Sequence, residues 1–260
     1  MTKRGPTPRR AAASGVIAGS VVLAYCHPGR VEAAFHESVL NLTVFDSVNH
    51  RRLLDGGGRI GYRSGVNVAG TRNEMVRKFL GETQAEWLWM VDTDMEFAPD
   101  TLERLLEHAD PENAPIVGGL CFGIDMGLLF PTMYELSGTK ADPQFLRYQV
   151  WPPNAMFQVF ATGGACLLMH RSALVAIRDY QQANGQVGFS PAFPWFQERE
   201  FGQRPMSEDI TFCMRAGVVG LPVFVNTGVQ LGHVKDQLLT FDGYKAQRAM
   251  LDAREQGDQT

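Results

Sequence analysis

In the stretch EWLWMVDTDMEF, residues 86–97, five consecutive apolar side chains from Trp87 to Val91 run into two aspartates separated by one residue. Continuous apolarity over that length predicts a strand covered on both faces, as in a parallel sheet sandwiched between helices, because a strand with one wet face alternates instead. Asp92 and Asp94 then sit just past the C-terminal end of the strand. In open α/β sheets that edge is where ligands bind.

The first half of the chain supplies the layers such a strand needs. VVLAY (21–25) reads as a buried strand, CHPGR as a turn, and VEAAFHESVLNL as a helix in which Val31, Phe35, Val39 and Leu42 recur at helical spacing. After DGGG, the run RIGYRSGVNVAGTRNEMVRKFLGE predicts a short strand, a Gly-rich loop and a helix carrying Met75, Val76, Phe79 and Leu80. APDTLERLLEHAD follows the opening strand as a helix. Asp100 is its expected cap, Glu103 answers it three residues later, and Leu102, Leu105 and Leu106 face inward. APIVGGLCF is a further buried strand. This alternation predicts an α/β fold with a mostly parallel, doubly wound sheet.

The second half changes character. Residues 124–160 are rich in Pro, Gly and aromatics, with TMYELSG and LRYQVWPP as strands of a hairpin or lid. VFATGGACLLMH is a strand with a glycine break, leading into the helix RSALVAIRDYQQAN. The aromatic, proline-interrupted loop 189–205 is too long and too apolar for a linker and forms a candidate binding surface. SEDITFCMRAG is a helix, LPVFVN a strand, GVQLGHVK a loop or short strand, and the remainder a polar helix and tail.

With 260 residues the chain can bury one substantial core without disulfide or metal staples. The expected organisation is a flexible basic arm (1–18), one domain (19–240, with halves 19–123 and 124–240) and a C-terminal helix and tail (241–260). A formal net charge of -4 carries no global signature of nucleic-acid binding, although TKRGPTPRR in the arm could touch an anionic partner. Ser14, Gly15, Gly19 and Ser20 interrupt the apolar stretch after that arm, so no signal peptide is expected. Nothing approaches the roughly 20 apolar residues of a membrane span. Cys26, Cys121, Cys166 and Cys213 lack any CxxC pairing and lie in or beside apolar stretches, as buried thiols in a reducing cytoplasm do.

Four groups could carry chemistry. Asp92 and Asp94, at i and i+2 on a tight turn, can both reach one hard divalent cation that bridges a diphosphate; they can equally cap a turn. Ser207 reads as an N-cap, placing Glu208 and Asp209 in the first helical turn. There they serve either as ordinary capping charges or as a fixed base that accepts a proton from an attacking hydroxyl. His233, after a strand and a glycine, offers a nitrogen ligand to a carboxylate metal site, or a structural imidazole. In AGTRN, Gly70 permits close backbone approach, Arg72 can pair with phosphate and Asn73 can hold a loop or base; the plainer reading is an exposed helix start.

Taken in order, VVLAYCHPGRVEAAFHESVLNL, GTRNEMVRKFL, WMVDTDMEF, TGGACLLMHRSAL and SEDITFCMRAGVVGLPV resemble the GT-A glycosyltransferases, especially the family 2-like inverting enzymes. The resemblance spans about Val21 to His233. It implies a nucleotide-sugar donor, UDP- or GDP-linked, held by residues 19–123, and an acceptor bound by residues 124–240. It further implies a Mn²⁺ or Mg²⁺ ion on Asp94, with Asp92 and Thr93 toward the ribose or the metal, His233 as a third ligand and Asp209 as catalytic base. Tyr25, His27 and Pro28 would border the base, with Arg72 and Asn73 near the nucleotide. Gly163, Gly164 and Glu208 would face the acceptor, with Trp151 and Trp195 able to stack on it.

No Q-x-x-R-W segment of the processive synthases is present, so the expected reaction is a single transfer to a soluble acceptor: a carbohydrate, a protein hydroxyl or a modified DNA base. The first strand also lacks the P-x-Y-N turn usual in the family. Retaining members of the fold remain the alternative stereochemistry. The competing classes are a sugar-phosphate nucleotidyltransferase, for which CHPGRVEA is a poor phosphate loop, and a non-catalytic sugar-binding relative.

Overall fold

The computed structural model describes residues 15–64, 67–125, 127–139, 143–184, 195–201, 204–235 and 237–257. Most of the basic arm, and residues 189–194, 202 and 203 of the aromatic loop, lie outside the described residues.

One seven-stranded sheet runs in the spatial order Met156–Val159, Val223–Gln230, Ile116–Leu120, Cys166–His170, Ala85–Val91, Ile17–His27, Gly58–Arg63. Ile17–His27 pairs in parallel with both Gly58–Arg63 and Ala85–Val91, and Val223–Gln230 pairs in parallel with Ile116–Leu120. Cys166–His170 runs against both of its neighbours and Met156–Val159 against Val223–Gln230. Most strands therefore share one direction, as expected, but the sheet is mixed and its centre holds an antiparallel strand.

The apolar run that predicted a doubly covered strand behaves accordingly. Ala85–Val91 is paired on both edges. Leu88 and Met90 enter one buried cluster, with Met75, Val76 and Phe79 of helix Val68–Glu82 and Leu174 and Ile177 of helix Arg171–Ala183. Trp87, Trp89 and Val91 enter the opposite cluster, with Phe35, Val39 and Leu42 of helix Ala33–Asn49 and Leu102 and Leu105 of helix Thr101–Leu106. Alternate side chains thus feed opposite layers, each fully buried one contributing about 1.5–3 kcal/mol.

Two capping expectations are corrected. Asp100 makes no side-chain cap bond, and Glu103 instead accepts both guanidinium bonds of Arg52 at 3.1 Å. Arg52 also reaches the carbonyl of Gly19, so the carboxylate ties the helix to the start of the first strand, a use local spacing does not reveal. Ser207 likewise makes no side-chain bond to the helix backbone; its hydroxyl donates to Asp209 Oδ1.

Met133–Gly138 forms the expected hairpin, but with Pro143–Arg147, so the partner strand ends before the Trp151-Pro152-Pro153 stretch, whose prolines cannot donate to a ladder. Ala161–Thr162 pairs with its other edge. A second hairpin, Arg199–Phe201 with Arg204–Met206, stands just before helix Glu208–Val218. All four cysteines are free. No described helix is long and apolar enough to cross a membrane.

Candidate functional site

The site forms where Ala85–Val91 stops. Asp92 N–H donates to the Ala165 carbonyl and Thr93 Oγ1 to the carbonyl of Cys26, so the aspartate turn is held between the glycine segment and the end of the first strand. Tyr25 and His27 are half-buried and Pro28 exposed on that same strand end, with Tyr25 edge-on to Phe35.

Beyond the turn, Met95–Glu96 pairs antiparallel with Gly232–Lys235, setting His233 opposite Met95. The N–H of Val234 donates to the Asp94 carbonyl at 2.7 Å. This short ladder carries His233 across 139 residues to Asp94, with Nε2 3.1 Å from Oδ2. His233 Nδ1 lies 2.9 Å from the Phe122 carbonyl oxygen. A carbonyl only accepts, so Nδ1 bears the hydrogen, and that bond fixes the ring orientation as it does in metal-ligating imidazoles. Lys235 Nζ donates to the same Asp94 oxygen at 2.6 Å. Burial alone would raise the Asp94 pKa, but the bonds from His233 and Lys235 prevail and hold it at about 2.

Asp92 faces elsewhere. Its Oδ1 accepts from Arg72 Nη2 at 2.8 Å, while Arg72 Nη1 donates to Glu208 Oε1 at 2.9 Å, a link across 136 residues. The Arg72 side chain is only 5% exposed. Burial opposes its charge, but the carboxylates of Asp92, Glu208 and Asp209 outweigh that and raise its pKa. The Glu208 carboxyl is pushed up by burial, pulled back by Arg72 and pushed up again by Asp209.

The two glycines explain how a guanidinium fits there. A Cβ at Gly164 would overlap Arg72 Nη1 and lie 2.7 Å from Cζ, and one at Gly163 would press on Thr132. Gly164→Ala therefore evicts Arg72 or displaces the turn, an overpacking cost of about 1–3 kcal/mol. Calorimetry should show a melting temperature lowered by several degrees. Gly164 N–H also donates to Asp209 Oδ2 at 3.1 Å, while Asp209 Oδ1 accepts from Ile210 N–H at 2.8 Å and from Ser207. A carboxylate accepts about four bonds, so one lone-pair direction is left for an incoming hydroxyl.

Several expected contacts are spent inside the protein. Arg72 and Asn73 do not form an exposed helix start: they are 4% and 6% exposed. Asn73 exchanges two bonds with the backbone of Phe196, at 2.7 and 2.9 Å, which, with its side chain buried, ties the amide to that segment rather than to a base. Trp195 is buried and donates from Nε1 to the Leu174 carbonyl, so it offers no stacking face; Phe196 is buried against Phe212. Trp151 is half-buried against Phe122 and Tyr244. The fold adds Lys235 and Tyr134 to the site; the Tyr134 phenol pKa is raised by burial and by the nearby Asp209 charge. The position of Lys235 two residues after His233 on a strand, hence on the same side, was the available signal.

Among the described residues no cluster of three His, Cys, Asp or Glu side chains surrounds a metal position. Asp94 and His233 nevertheless offer one oxygen and one nitrogen donor to a divalent ion. Mg²⁺, for one, uses one or two protein ligands and completes its shell with water and substrate phosphate.

Residues 52–177 match the family model for glycosyl transferase family 2. That span includes Arg72, Asp92, Asp94, Gly163 and Gly164, whereas Glu208, Asp209 and His233 lie beyond it. Among solved structures, A197 from STIV superposes with a TM-score of 0.51 at 15% identity, covering 86% of this chain and 91% of that one. The structure of GalNAc-T7 with UDP, GalNAc and Mn2+ superposes with a TM-score of 0.51 at 10% identity, over 83% of this chain. The chain spans 44% of that GalNAc-T7 chain. No curated protein matches. The fold is that of the GT-A glycosyltransferases. Over residues 52–177 the chain is similar to glycosyl transferase family 2.

Proposed function

We propose that this protein is an inverting, divalent-metal-dependent enzyme that moves a hexosyl group from a UDP- or GDP-sugar to an acceptor hydroxyl. The observation that carries this reading is the joining of two half-sites, Asp94 with His233 on one side and Asp209 on the other, through Arg72, which bonds Asp92 next to the first and Glu208 next to the second. The UDP and Mn2+ present in the GalNAc-T7 structure support the donor and metal assignments.

Asp94 and His233 would hold Mn²⁺ or Mg²⁺, which supplies Lewis-acid stabilisation of the departing nucleoside diphosphate. Tyr25, His27 and Pro28 border the nucleoside at the end of the first strand. Asp92 and Thr93 shape the turn beneath it. Asp209 accepts the acceptor proton as the hydroxyl attacks the anomeric carbon in line, and the C–O bond to the diphosphate breaks on the opposite face. Arg72 keeps Asp92 and Glu208 charge-balanced, so that Asp209 remains the carboxylate with a free lone pair.

A cavity of about 620 Å³ is lined by Glu198, Arg199, Glu200, Pro205, Met206, Ser207 and Glu208, of which Ser207 bonds Asp209. Three carboxylates against one guanidinium suit a neutral acceptor, a carbohydrate or protein hydroxyl, and disfavour the polyanionic backbone of DNA.

A screen of nucleotide sugars by thermal shift and Mn²⁺-dependent hydrolysis tests the class. One UDP- or GDP-sugar should be bound and slowly hydrolysed, and Asp94→Ala should abolish the metal dependence. Release of pyrophosphate from a nucleoside triphosphate and a sugar phosphate would instead indicate the nucleotidyltransferase. Binding without turnover for every donor would indicate a recognition module.

A further inference from the structure

The group bonded to Asp94 in this structure is an ammonium. Lys235 Nζ lies 2.6 Å from Oδ2, the same oxygen that faces His233 Nε2 at 3.1 Å. Strand Gly232–Lys235 explains why: His233 and Lys235 are two residues apart and project to one side, and the Val234 N–H bond to the Asp94 carbonyl fixes their height on the turn. The backbone is further held by Leu239 and Leu238 of the adjoining strand, opposite His233 and Val234. The Lys235 side chain is 46% exposed against 27% for Asp94, so the flexible stem is free to swing while its anchor stays in place.

We propose that Lys235 is a resident counter-ion of the metal site, displaced by the divalent cation and transferred to the diphosphate, so that metal and nucleotide bind interdependently. This rests on the reading that Asp94 and His233 hold the cation. An ammonium and a divalent ion cannot share one carboxylate oxygen without strong like-charge repulsion, so metal entry requires Lys235 to leave. With no anion present the displaced charge stays beside the metal and opposes it. A diphosphate on the same edge gives the ammonium a partner, and by linkage each ligand then strengthens the other. The lysine also keeps the Asp94 carboxylate charge-balanced while the site awaits its donor.

The test is Mn²⁺ binding followed by electron paramagnetic resonance, with and without saturating UDP or GDP, for the full chain and for Lys235→Met, Lys235→Arg and Lys78→Met. An exposed ion pair of this kind corresponds to up to about fivefold in affinity. Lys235→Met should therefore bind Mn²⁺ alone up to about fivefold more tightly than the parent. The enhancement of Mn²⁺ affinity by nucleoside diphosphate should shrink by a similar factor. Lys235→Arg should keep the parent coupling, and Lys78→Met, which removes an ammonium lying over the Tyr62 ring, should change neither quantity. Equal or weaker Mn²⁺ binding by Lys235→Met, with the nucleotide enhancement intact, overturns the role of Lys235 and leaves the metal site standing. Absence of Mn²⁺ binding in every protein, even with nucleotide, overturns the metal site and the Lys235 proposal with it.

Discussion

Asp209→Asn should lower kcat by about 10²–10⁴-fold, the usual contribution of a positioned general base, with little change in donor affinity. The side chain accepts backbone N–H bonds on both oxygens, from Gly164 and Ile210. An asparagine amide must turn its NH₂ toward one of those donors, so the variant loses one bond, about 0.5–1.5 kcal/mol of stability. The protein should therefore remain folded while transfer fails. Steady-state kinetics with the donor found by screening, alongside a melting curve, separates the two effects; near-parent kcat would remove Asp209 from the role of base.

Arg72→Met is the second large effect, and here stability falls along with activity. The substitution leaves the largely buried Glu208 carboxylate and the half-buried Asp92 carboxylate with no cation, and truncating one partner of a buried ion pair typically costs about 3–5 kcal/mol. For a chain of this size that corresponds to a melting temperature lower by about 10 °C. Glu208 supplies a pH signature. Burial already raises its pKa and Arg72 opposes the rise, so removing Arg72 raises it further. Ionising a carboxyl whose folded pKa exceeds its unfolded value destabilises the fold. The deficit of Arg72→Met should therefore be full at neutral pH and shrink as pH falls through the higher folded pKa. Arg72→Lys should recover part of the stability but not both bonds, because one ammonium cannot hold two carboxylates bidentately spaced on a guanidinium. Combining Arg72→Met with Glu208→Gln should cost less than the sum of the two single changes, since both act on one network.

Much of this layout was legible in the residues. Trp87 to Val91 reads as a doubly buried strand because the apolar run has no wet face and is too short for an ordinary helix, and the helices read from apolar spacing. Asp92 and Asp94 follow as the strand's C-terminal edge, and the glycine pair marks a break in the later strand. What packs against that break was not legible. That Arg72 fills the space a Cβ at Gly164 would occupy depends on two segments distant in sequence meeting at van der Waals contact. Trp195 shows the same limit: its aromatic, proline-rich surroundings suggested a stacking face, but packing buried it and gave its indole N–H to Leu174.

The sequence by itself determined the layered α/β architecture and the edge of the sheet where chemistry can occur, since both follow from local periodicity and from how a strand ends. Only the tertiary structure decided which charges meet. Asp92 was claimed by Arg72, Asp94 by His233 and Lys235, and Asp209 by the backbone of Gly164. A charge takes its partner from whatever the packed fold places within a few ångströms, and that distance is set by the whole sheet rather than by neighbours in the chain.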